Sequence, residues 1–297
     1  MNVTFRQLKV FAAVARRLSF TRAAEELYLT QPAVSMQVKQ MEGAIGLALF
    51  EQTGKRIQLT EAGEVMHHYS RVIADNLSEA EQAMEELKGV DGGRLKVTVA
   101  TTVNYYATRL LSGFCAEHPG VRVSLDVTNR ETLLRQLEEN QTDVVLMGKP
   151  PENLDVVAEP FMDNPLVVIA SPQHPLCKRR KIPLARLDEE TFLMRESGSG
   201  TRMAIERFFA EKDFTPSGSI EMTSNEAIKQ SVQAGLGLGI VSIHTVDLEL
   251  EVGRLAILNV ASFPIMRRWY LVHRKEKRLS ATADAFKSFV LAYTDKH

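Results

Sequence analysis

The residues best suited to bind a ligand form a short polar run that ends in an arginine, Ser197 to Arg202 (SGSGTR). Its two glycines let a bound group approach the backbone closely, and Ser199 and Thr201 add hydroxyl groups. Arg202 can bind a carboxylate or a phosphate through paired hydrogen bonds. The run therefore predicts an anion site, although Ser199 and Thr201 could each serve only to cap a helix.

Small polar residues also follow other predicted strands, at the points where each strand leads into a helix. In open α/β sheets, ligands bind outside the carboxyl ends of the strands, where helix N-termini present amide groups and a positive dipole end. Four polar turns at one edge favour a ligand site over helix capping alone. The candidate ligand-binding residues are Thr101, Thr102, Asn104, Thr128, Asn129, Ser197, Ser199, Gly200, Thr201, Arg202 and Asn225.

A second chemical surface lies in the first 60 residues, which hold eight Lys or Arg against four Glu, although the whole chain has a net charge of −1. Val34, Val38 and Met41 recur at helical spacing and predict the buried stripe of a helix. The opposite side of this helix carries amides, a hydroxyl and a cation, which suit base edges and phosphates. Its outward residues are Gln31, Ser35, Met36, Lys39 and Gln40.

The neighbouring elements predict that this helix is the third of a helix-turn-helix domain. Apolar residues at three- and four-residue spacing form a first helix, and Ser19 or Thr21 can cap a second. Thr30 can cap the third helix, in which Pro32 is tolerated because it falls in the first turn. The third helix of such a domain enters the major groove of DNA.

The segment after the third helix predicts a hairpin. Residues 49–52 and 56–59 flank Thr53-Gly54-Lys55, so basic residues stand at the tip, and we interpret the hairpin as a wing on the DNA backbone or minor groove. The alternative is a small structural domain of helices. The candidate DNA-binding residues are Thr21, Gln31, Pro32, Ser35, Met36, Lys39, Lys55 and Arg56.

Residues 61–91 predict a long helix with the seam of a coiled coil. Seam residues alternate at four- and three-residue spacing, the pattern by which two helices pair. Asn76 falls in this seam, where it either sets the register or marks a local irregularity. The outer face is too polar for burial on all sides, so we expect the helix to join two chains. The seam consists of Ala62, Met66, Tyr69, Ile73, Asn76, Ala80, Ala83 and Leu87.

Beyond the linker helix, strands and helices alternate, which predicts two α/β lobes. The final strand and helix have no third lobe to join, so we expect the chain to cross back to the first lobe. Lobe I is then formed by residues 92–161 and 267–297, and lobe II by residues 162–266, with hinges at crossovers near Pro160 and Pro264. The cleft between the lobes is the expected ligand site.

No pattern of catalytic residues or metal ligands stands out, so neither an enzyme nor a bound cofactor is expected. Residues 235–239 alternate Gly and Leu but follow a helix and precede a strand, the reverse of a dinucleotide-binding loop. Ser199 lacks the G-x-S-x-G spacing of a nucleophile elbow. The seven histidines show no paired spacing for metal or triad chemistry, and Cys115 and Cys177 have no partners at ligand spacing.

The predicted architecture is therefore multi-domain: a winged helix-turn-helix at residues 1–60, a linker and dimerisation helix at residues 61–91, and a two-lobed α/β domain. The chain begins without a basic region followed by an apolar stretch, and no segment approaches the roughly 18 apolar residues of a membrane span. We therefore expect a cytoplasmic protein without membrane contact.

Residues 5–63 (FRQLKVFAAVARRLSF to QLTEAG) resemble the winged helix-turn-helix of LysR-type transcriptional regulators over their whole length. Many members carry Arg at the position of Gln52, so more of the work of the wing would fall to Lys55 and Arg56. The resemblance implies dimers that bind operator DNA, often paired into tetramers. It also implies a two-lobed effector domain that is similar to periplasmic solute-binding proteins.

The α/β half has a resemblance of its own, carried by DVTNRE, MRESGSGTR, TSNEAIKQSVQAGLGLGIVS and WYLVHRKEKRLS. These segments are similar to those of LysR-type regulators of carbon-dioxide-fixation operons. The resemblance implies control of ribulose-bisphosphate carboxylase genes, with a phosphorylated metabolite or NADPH as the effector. Residue chemistry alone indicates only a small anion. An aromatic or amino-acid effector, or a solute-binding protein decorated by its first 60 residues, are the alternatives.

Overall fold

The computed structural model describes residues 2–53, 56–87 and 93–294. The chain forms two compact units, Met1–Met84 and Glu85–His297. Among the described residues, no helix is long and apolar enough to cross a membrane. The first unit contains α1 (Phe5–Arg17), α2 (Phe20–Glu26), α3 (Gln31–Ile45), the antiparallel strands β1 (Phe50–Thr53) and β2 (Arg56–Leu59), and α4 (Glu61–Leu87).

Local capping sets where the helices of the first unit begin. Thr4 and Gln7 form a capping box at the start of α1, and the side chain of Ser19 caps α2 by accepting from the amide of Arg22. Thr21, the other predicted cap, lies within the first turn of α2 and is exposed. These caps, together with a core around Phe11, confirm the predicted helix-turn-helix and hairpin.

The start of α4 packs onto the first unit itself, which corrects part of the predicted coiled-coil seam. Ala62 and Met66 contact the core around Phe11 and Leu49, and a Cβ on Gly63 would lie 2.1 Å from the carbonyl oxygen of Leu49. These residues are therefore used within one chain. The large apolar residues that α4 exposes are Val65, Tyr69, Ile73, Leu77 and Met84. The side chains of Ala83 and Leu87 lie outside the described set.

Among the described residues, the second unit contains ten strands and six α-helices. In chain order these are β3 (Arg94–Ala100), α5 (Asn104–Glu117), β4 (Arg122–Thr128), α6 (Arg130–Glu138), β5 (Val144–Met147), β6 (Val156–Asp163), β7 (Leu166–Ala170), β8 (Thr191–Arg195), α7 (Gly200–Glu211), β9 (Gly218–Met222), α8 (Asn225–Gln233), β10 (Leu238–Ser242), α9 (Asp247–Glu251), β11 (Ala256–Ile257), β12 (Arg268–Arg274) and α10 (Ala281–Thr294). Short 3₁₀ turns lie between several of them.

These strands form two five-stranded mixed sheets, in agreement with the predicted two-lobed α/β fold. The first sheet has the order β4-β3-β5-β12-β6, and the second the order β11-β7-β10-β8-β9. In the first sheet β3 is parallel to β4 and β5, and the returning strand β12 is antiparallel to β5 and β6. In the second sheet β8 is parallel to β9 and β10. The carboxyl ends of the parallel strands carry the polar turns.

The crossover predicted near Pro160 begins only after β6 ends at Asp163. Pro160 is inside β6, a strand that the sequence did not predict, opposite Tyr270 and next to a shift in register. Because β6 is the edge strand of its sheet, the missing N–H of a proline is tolerated there. The chain instead crosses at Asn164, whose amide donates to the carbonyl of Arg267 at 2.7 Å, so the outgoing and returning segments run side by side.

Candidate nucleic-acid interface and ligand cavity

The outer side of α3 forms a shallow concave surface, which we call the recognition surface. Val34, Val38 and Met41 face the core with at most 2% of their surface exposed, so the remaining side of the helix is turned to solvent. Met36 exposes 53% of its surface. The recognition surface consists of Gln31, Pro32, Ser35, Met36, Lys39 and Gln40.

This surface combines the contacts that read a base pair. Amides such as Gln31 can bind adenine edges, Lys39 can bind guanine or a phosphate, and exposed Met36 can contact a thymine methyl group. At the start of α3, Thr30 makes no side-chain capping hydrogen bond. The side chain of Thr30 therefore does not occupy the N-terminus of α3, and a helix N-terminus attracts phosphate.

The hairpin is fastened to α3 from the opposite end of that helix. The Glu42 carboxylate accepts hydrogen bonds from the amides of Leu49 and Phe50, at 2.8 and 3.3 Å. Arg56 belongs to β2 and stands opposite Thr53, whereas Lys55 lies outside the described residues. The pairing of β1 with β2 confirms the predicted hairpin. The contacts of Lys55 and Arg56 with DNA stay predictions.

A narrow cavity of about 40 Å³ lies between the two sheets of the second unit, and we call it the anion cavity. Polar turns from both sheets meet there. The predicted residues that line it are Thr101, Thr102, Thr128, Asn129, Ser199, Gly200 and Thr201.

Helix capping and cavity lining turn out to be compatible in these turns. Asn129 caps α6 by accepting from the amide of Thr132 at 2.9 Å, and Ser199 caps α7 by accepting from the amide of Thr201 at 3.3 Å. Both caps also line the anion cavity. The first turns of two helices therefore open onto it, and a helix N-terminus favours a negative charge.

The sequence analysis missed Arg195, which lies at the end of β8 and has only 2% of its surface exposed. Its guanidinium makes two 2.7 Å hydrogen bonds to the carboxylate of Glu196 and donates to Asn225 at 3.0 Å. It also approaches the hydroxyl of Thr101, at 3.4 Å, from the other sheet. Arg195 therefore spans the cavity from one lobe to the other.

Two further arginines complete the lining of the anion cavity. Arg267, in the returning crossover, donates to the hydroxyl of Thr201 and the carbonyl of Gly200 at 3.3 and 3.4 Å. Arg130, the first residue of α6, donates to the carbonyl of Lys149 at 3.0 Å. A Cβ on Gly200 would lie 3.8 Å from the Arg130 guanidinium, so Arg130 faces α7 from the other lobe.

The electrostatics of the anion cavity favour a negatively charged ligand. Three guanidinium groups, of Arg130, Arg195 and Arg267, line it together with one carboxylate, that of Glu196. Burial lowers the pKa of Arg130 below its ordinary value, and burial together with the neighbouring Arg195 lowers the pKa of Arg267 to about 10. Both remain protonated at neutral pH. An anion would relieve the repulsion between Arg267 and Arg195.

Four predicted ligand residues do not line the anion cavity, and Arg202 is the most instructive of them. Its guanidinium bonds to Glu206 at 2.7 Å and Glu221 at 2.9 Å, and it donates to the carbonyl of Arg195. As the third residue of α7 it points along the helix flank toward β9. The others are exposed Ser197, Asn104 at the start of α5, and Asn225, which is buried beneath Arg195.

The missed arginines differ in how visible they were. Arg130 directly follows the predicted residue Asn129, and Arg195 stands two residues before Ser197, so each adjoins a turn that the sequence singles out. A rule that includes charged residues at or just after the ends of strands would have found them. Arg267 lies in a crossover, and no local pattern marks it.

Comparison with known proteins places the whole chain. Residues 5–64 match the family model of the bacterial regulatory helix-turn-helix protein, lysR family. Residues 88–295 match the model of the LysR substrate binding domain. The chain is 59% identical over 292 residues to a RuBisCO operon transcriptional regulator of Allochromatium vinosum, covering 98% of this chain and 97% of that protein.

Two proteins of Synechocystis extend the comparison. The HTH-type transcriptional activator CmpR is 47% identical over 294 residues, which cover 99% of this chain and 97% of CmpR. The solved regulatory domain of CcmR in complex with 2-PG shares 41% identity at a TM-score of 0.65, covering 68% of this chain and 97% of that structure. These matches overturn the alternative in which the first 60 residues merely decorate a solute-binding protein. The chain belongs to the LysR family and is a LysR-type transcriptional regulator.

Proposed function

We propose that this regulator controls genes of carbon dioxide fixation in response to a small phosphorylated metabolite. The observation that carries the proposal is the anion cavity, in which three arginines and several hydroxyl groups converge in a narrow space. Similarity to a RuBisCO operon regulator and to a regulatory domain bound to 2-PG supports the same reading.

The size of the anion cavity favours a compact ligand. Sites for drug-sized ligands typically enclose about 300–1,000 Å³, whereas this one measures about 40 Å³. A molecule such as 2-PG suits this narrow space better than a dinucleotide such as NADPH. Serine and threonine hydroxyls and guanidinium groups can bind it through charge-assisted hydrogen bonds. Of the two effector classes implied by the sequence, the phosphorylated metabolite is therefore the one proposed for this cavity.

On the DNA side, we propose that two chains pair through the exposed face of α4 and present two recognition surfaces to two half-sites. Gln31, Ser35, Met36 and Lys39 would meet base edges and nearby phosphates. Thr21, Lys55 and Arg56 would contact the backbone or minor groove, and Pro32 would shape the entry of α3. Pairs of such dimers would form a tetramer that acts on promoter DNA in the cytoplasm.

Ligand binding would act by shifting a population. A bound anion would connect Arg130 of one lobe to Arg195 of the other lobe and to Arg267 of the crossover. It would thereby favour one arrangement of the lobes. In the tetramer, that arrangement would change the bend imposed on promoter DNA. The relative named as an activator supports activation as the outcome.

The test is to titrate the full-length protein with 2-PG, ribulose 1,5-bisphosphate, NADPH and an aromatic acid while measuring the heat of binding. Footprints and DNA bending are then compared with and without the ligand that binds, on a RuBisCO-operon promoter. We expect saturable binding of a phosphorylated metabolite and a changed bend. Binding of the aromatic acid alone, or a footprint and bend unchanged at saturation, would contradict the proposal.

A further inference from the structure

The second unit contains another and much larger cavity, of about 720 Å³, next to the segments that cross between the lobes. We call it the hinge cavity. Asp163 and Pro165, which line it, flank the crossover residue Asn164, and Arg268 follows Arg267 of the returning segment. Its other walls come from α5, from the end of α10 and from the start of α9.

Aromatic rings form much of the wall of the hinge cavity. Tyr105, Tyr106 and Tyr293 line it together with Phe161. Tyr106 has only 9% of its surface exposed, and burial together with nearby Tyr293 raises the pKa of its phenol. Flat apolar walls with polar rims are suited to hold a planar ring, because such rings gain from stacking as well as from burial.

The hinge cavity also presents charged groups that can orient a ligand. Arg109 on α5 is exposed, and Arg268 pairs with Asp163 at 3.1 Å on the rim, where each side chain is 61% exposed. Asp247 contributes a second carboxylate at the start of α9. Arginines bind phosphate or carboxylate, whereas carboxylates accept from amino or hydroxyl groups.

One residue lies between this cavity and the anion cavity. Trp269 lines the anion cavity, and its ring centroid lies 5.2 Å from that of His244 and 6.2 Å from that of Tyr106, both of which line the hinge cavity. With its amide oxygen turned toward them, Asn164 accepts from the Trp269 indole at 2.7 Å and from the Arg267 guanidinium at 3.0 Å. Trp269 thus separates the two cavities and is hydrogen-bonded to the crossover residue Asn164.

We propose that the hinge cavity is a second ligand site, separate from the anion cavity, for a planar aromatic ring joined to an anionic group. Its volume favours a nucleoside monophosphate over a single aromatic acid, because about 720 Å³ lies in the range of sites for drug-sized ligands. The ring would lie among the tyrosines, with its phosphate at Arg109 and Arg268. A ligand there would bias the lobes through Trp269, whichever anion the other cavity takes.

The experiment uses Trp269, the only tryptophan of the chain, as a reporter in the full-length protein. Its emission is followed while AMP, ribose 5-phosphate or benzoate is added, with and without saturating 2-PG. We expect AMP to bind saturably and at least about tenfold more tightly than ribose 5-phosphate, which lacks the ring. Benzoate binding instead of AMP binding would overturn the assignment of a nucleoside monophosphate to this cavity.

Two variants test whether AMP binds in the hinge cavity. Arg109→Gln should weaken AMP binding by about tenfold or more, because a charge-assisted contact is lost, while 2-PG binding changes by less than about twofold. Arg254→Gln, the same change at another exposed arginine of this unit, should leave both unchanged. Displacement of AMP by 2-PG, equal effects of both variants, or no binding of AMP or benzoate up to millimolar concentration would overturn the proposal. Failure of 2-PG to bind would count against the proposed function alone.

Discussion

Lys39 on α3 is exposed to solvent, whereas Arg195 at the end of β8 keeps only 2% of its surface exposed, although each supplies positive charge to a candidate binding site. The recognition surface displays its functional groups on one helix, since every residue that lines it belongs to α3. The anion cavity instead holds its groups between two sheets, where each makes hydrogen bonds before any ligand arrives.

The difference has an energetic consequence. An exposed cation attracts a polyanion through interactions that salt screens, and its contribution adds to that of many similar contacts. Buried arginines in a narrow cavity lose solvation, so their charge is matched by few, well-placed partners, and removal of one partner is costly. A single substitution on the recognition surface should therefore lower DNA affinity only moderately. A single substitution of an arginine in the anion cavity should lower ligand affinity much more.

The largest effect is expected where the first unit exposes apolar rather than polar groups. Ile73→Glu on α4 should weaken dimerisation by about 100-fold or more, because pairing would bury an unpartnered carboxylate. Sedimentation equilibrium of the full-length protein measures it. Ala74→Glu adds the same charge at the next, exposed position and should have little effect. Equal effects of both would mean that charge on α4, and not its apolar face, controls assembly.

The next largest effect compares Arg267, which the structure places in the anion cavity, with Arg202, which the sequence predicted to bind the anion. Arg267→Met should weaken 2-PG binding by about 30-fold to 100-fold, because a charged hydrogen bond of about 2–3 kcal/mol is lost. Arg202→Met removes the same charge from α7 and should cost less than about threefold, since Arg202 is engaged by Glu206 and Glu221. Calorimetric titration measures both. The reverse order would assign the anion to the Ser197–Arg202 run.

A smaller and more salt-sensitive effect is expected on the recognition surface. Lys39→Ala should weaken promoter binding by about tenfold at low salt and reduce the slope of log K against log salt by about 1, because one phosphate contact is lost. Lys9→Ala removes the same charge from exposed α1 and serves as control. Gel-shift titrations at several salt concentrations measure the slope. An unchanged slope for Lys39→Ala would remove this lysine from the interface.

The smallest effect concerns an ion pair that holds α1 to α2. Burial alone would raise the pKa of Glu26, but hydrogen bonds and charges from Arg17 and Arg16 bring it below the ordinary value. A pKa lowered by folding contributes stability that is present above the unfolded pKa, about 4.5, and is lost as the pH falls through the folded pKa.

Amide hydrogen exchange of α1 and α2 in the full-length protein can test this pair. Protection should fall between about pH 5 and pH 3 by the equivalent of about 0.2–1 kcal/mol, the usual contribution of an exposed ion pair. Glu26→Gln should flatten this dependence, whereas Glu25→Gln on the exposed side of α2 should not. If both variants keep the full dependence, another carboxylate is responsible.

Much of the molecule could be predicted because it depends on neighbours along the chain. The buried stripe of α3, the cap at Ser19 and the alternation of strands and helices all follow from periodicity and capping, which act over a few residues. The seam of α4 was predicted only in part. Its spacing is correct for a paired helix, but spacing does not tell that Ala62 and Met66 contact the core of their own unit.

The sequence by itself determined which elements form, which of their faces are polar, and that polar turns gather at one edge of each sheet. Only the tertiary structure decided which charges meet. Arg130, Arg195 and Arg267 are 65 and 72 positions apart along the chain and converge because strands of two sheets end against one crossover. Periodicity reports which side of an element is buried, whereas the groups that lie opposite that side depend on how two sheets pack.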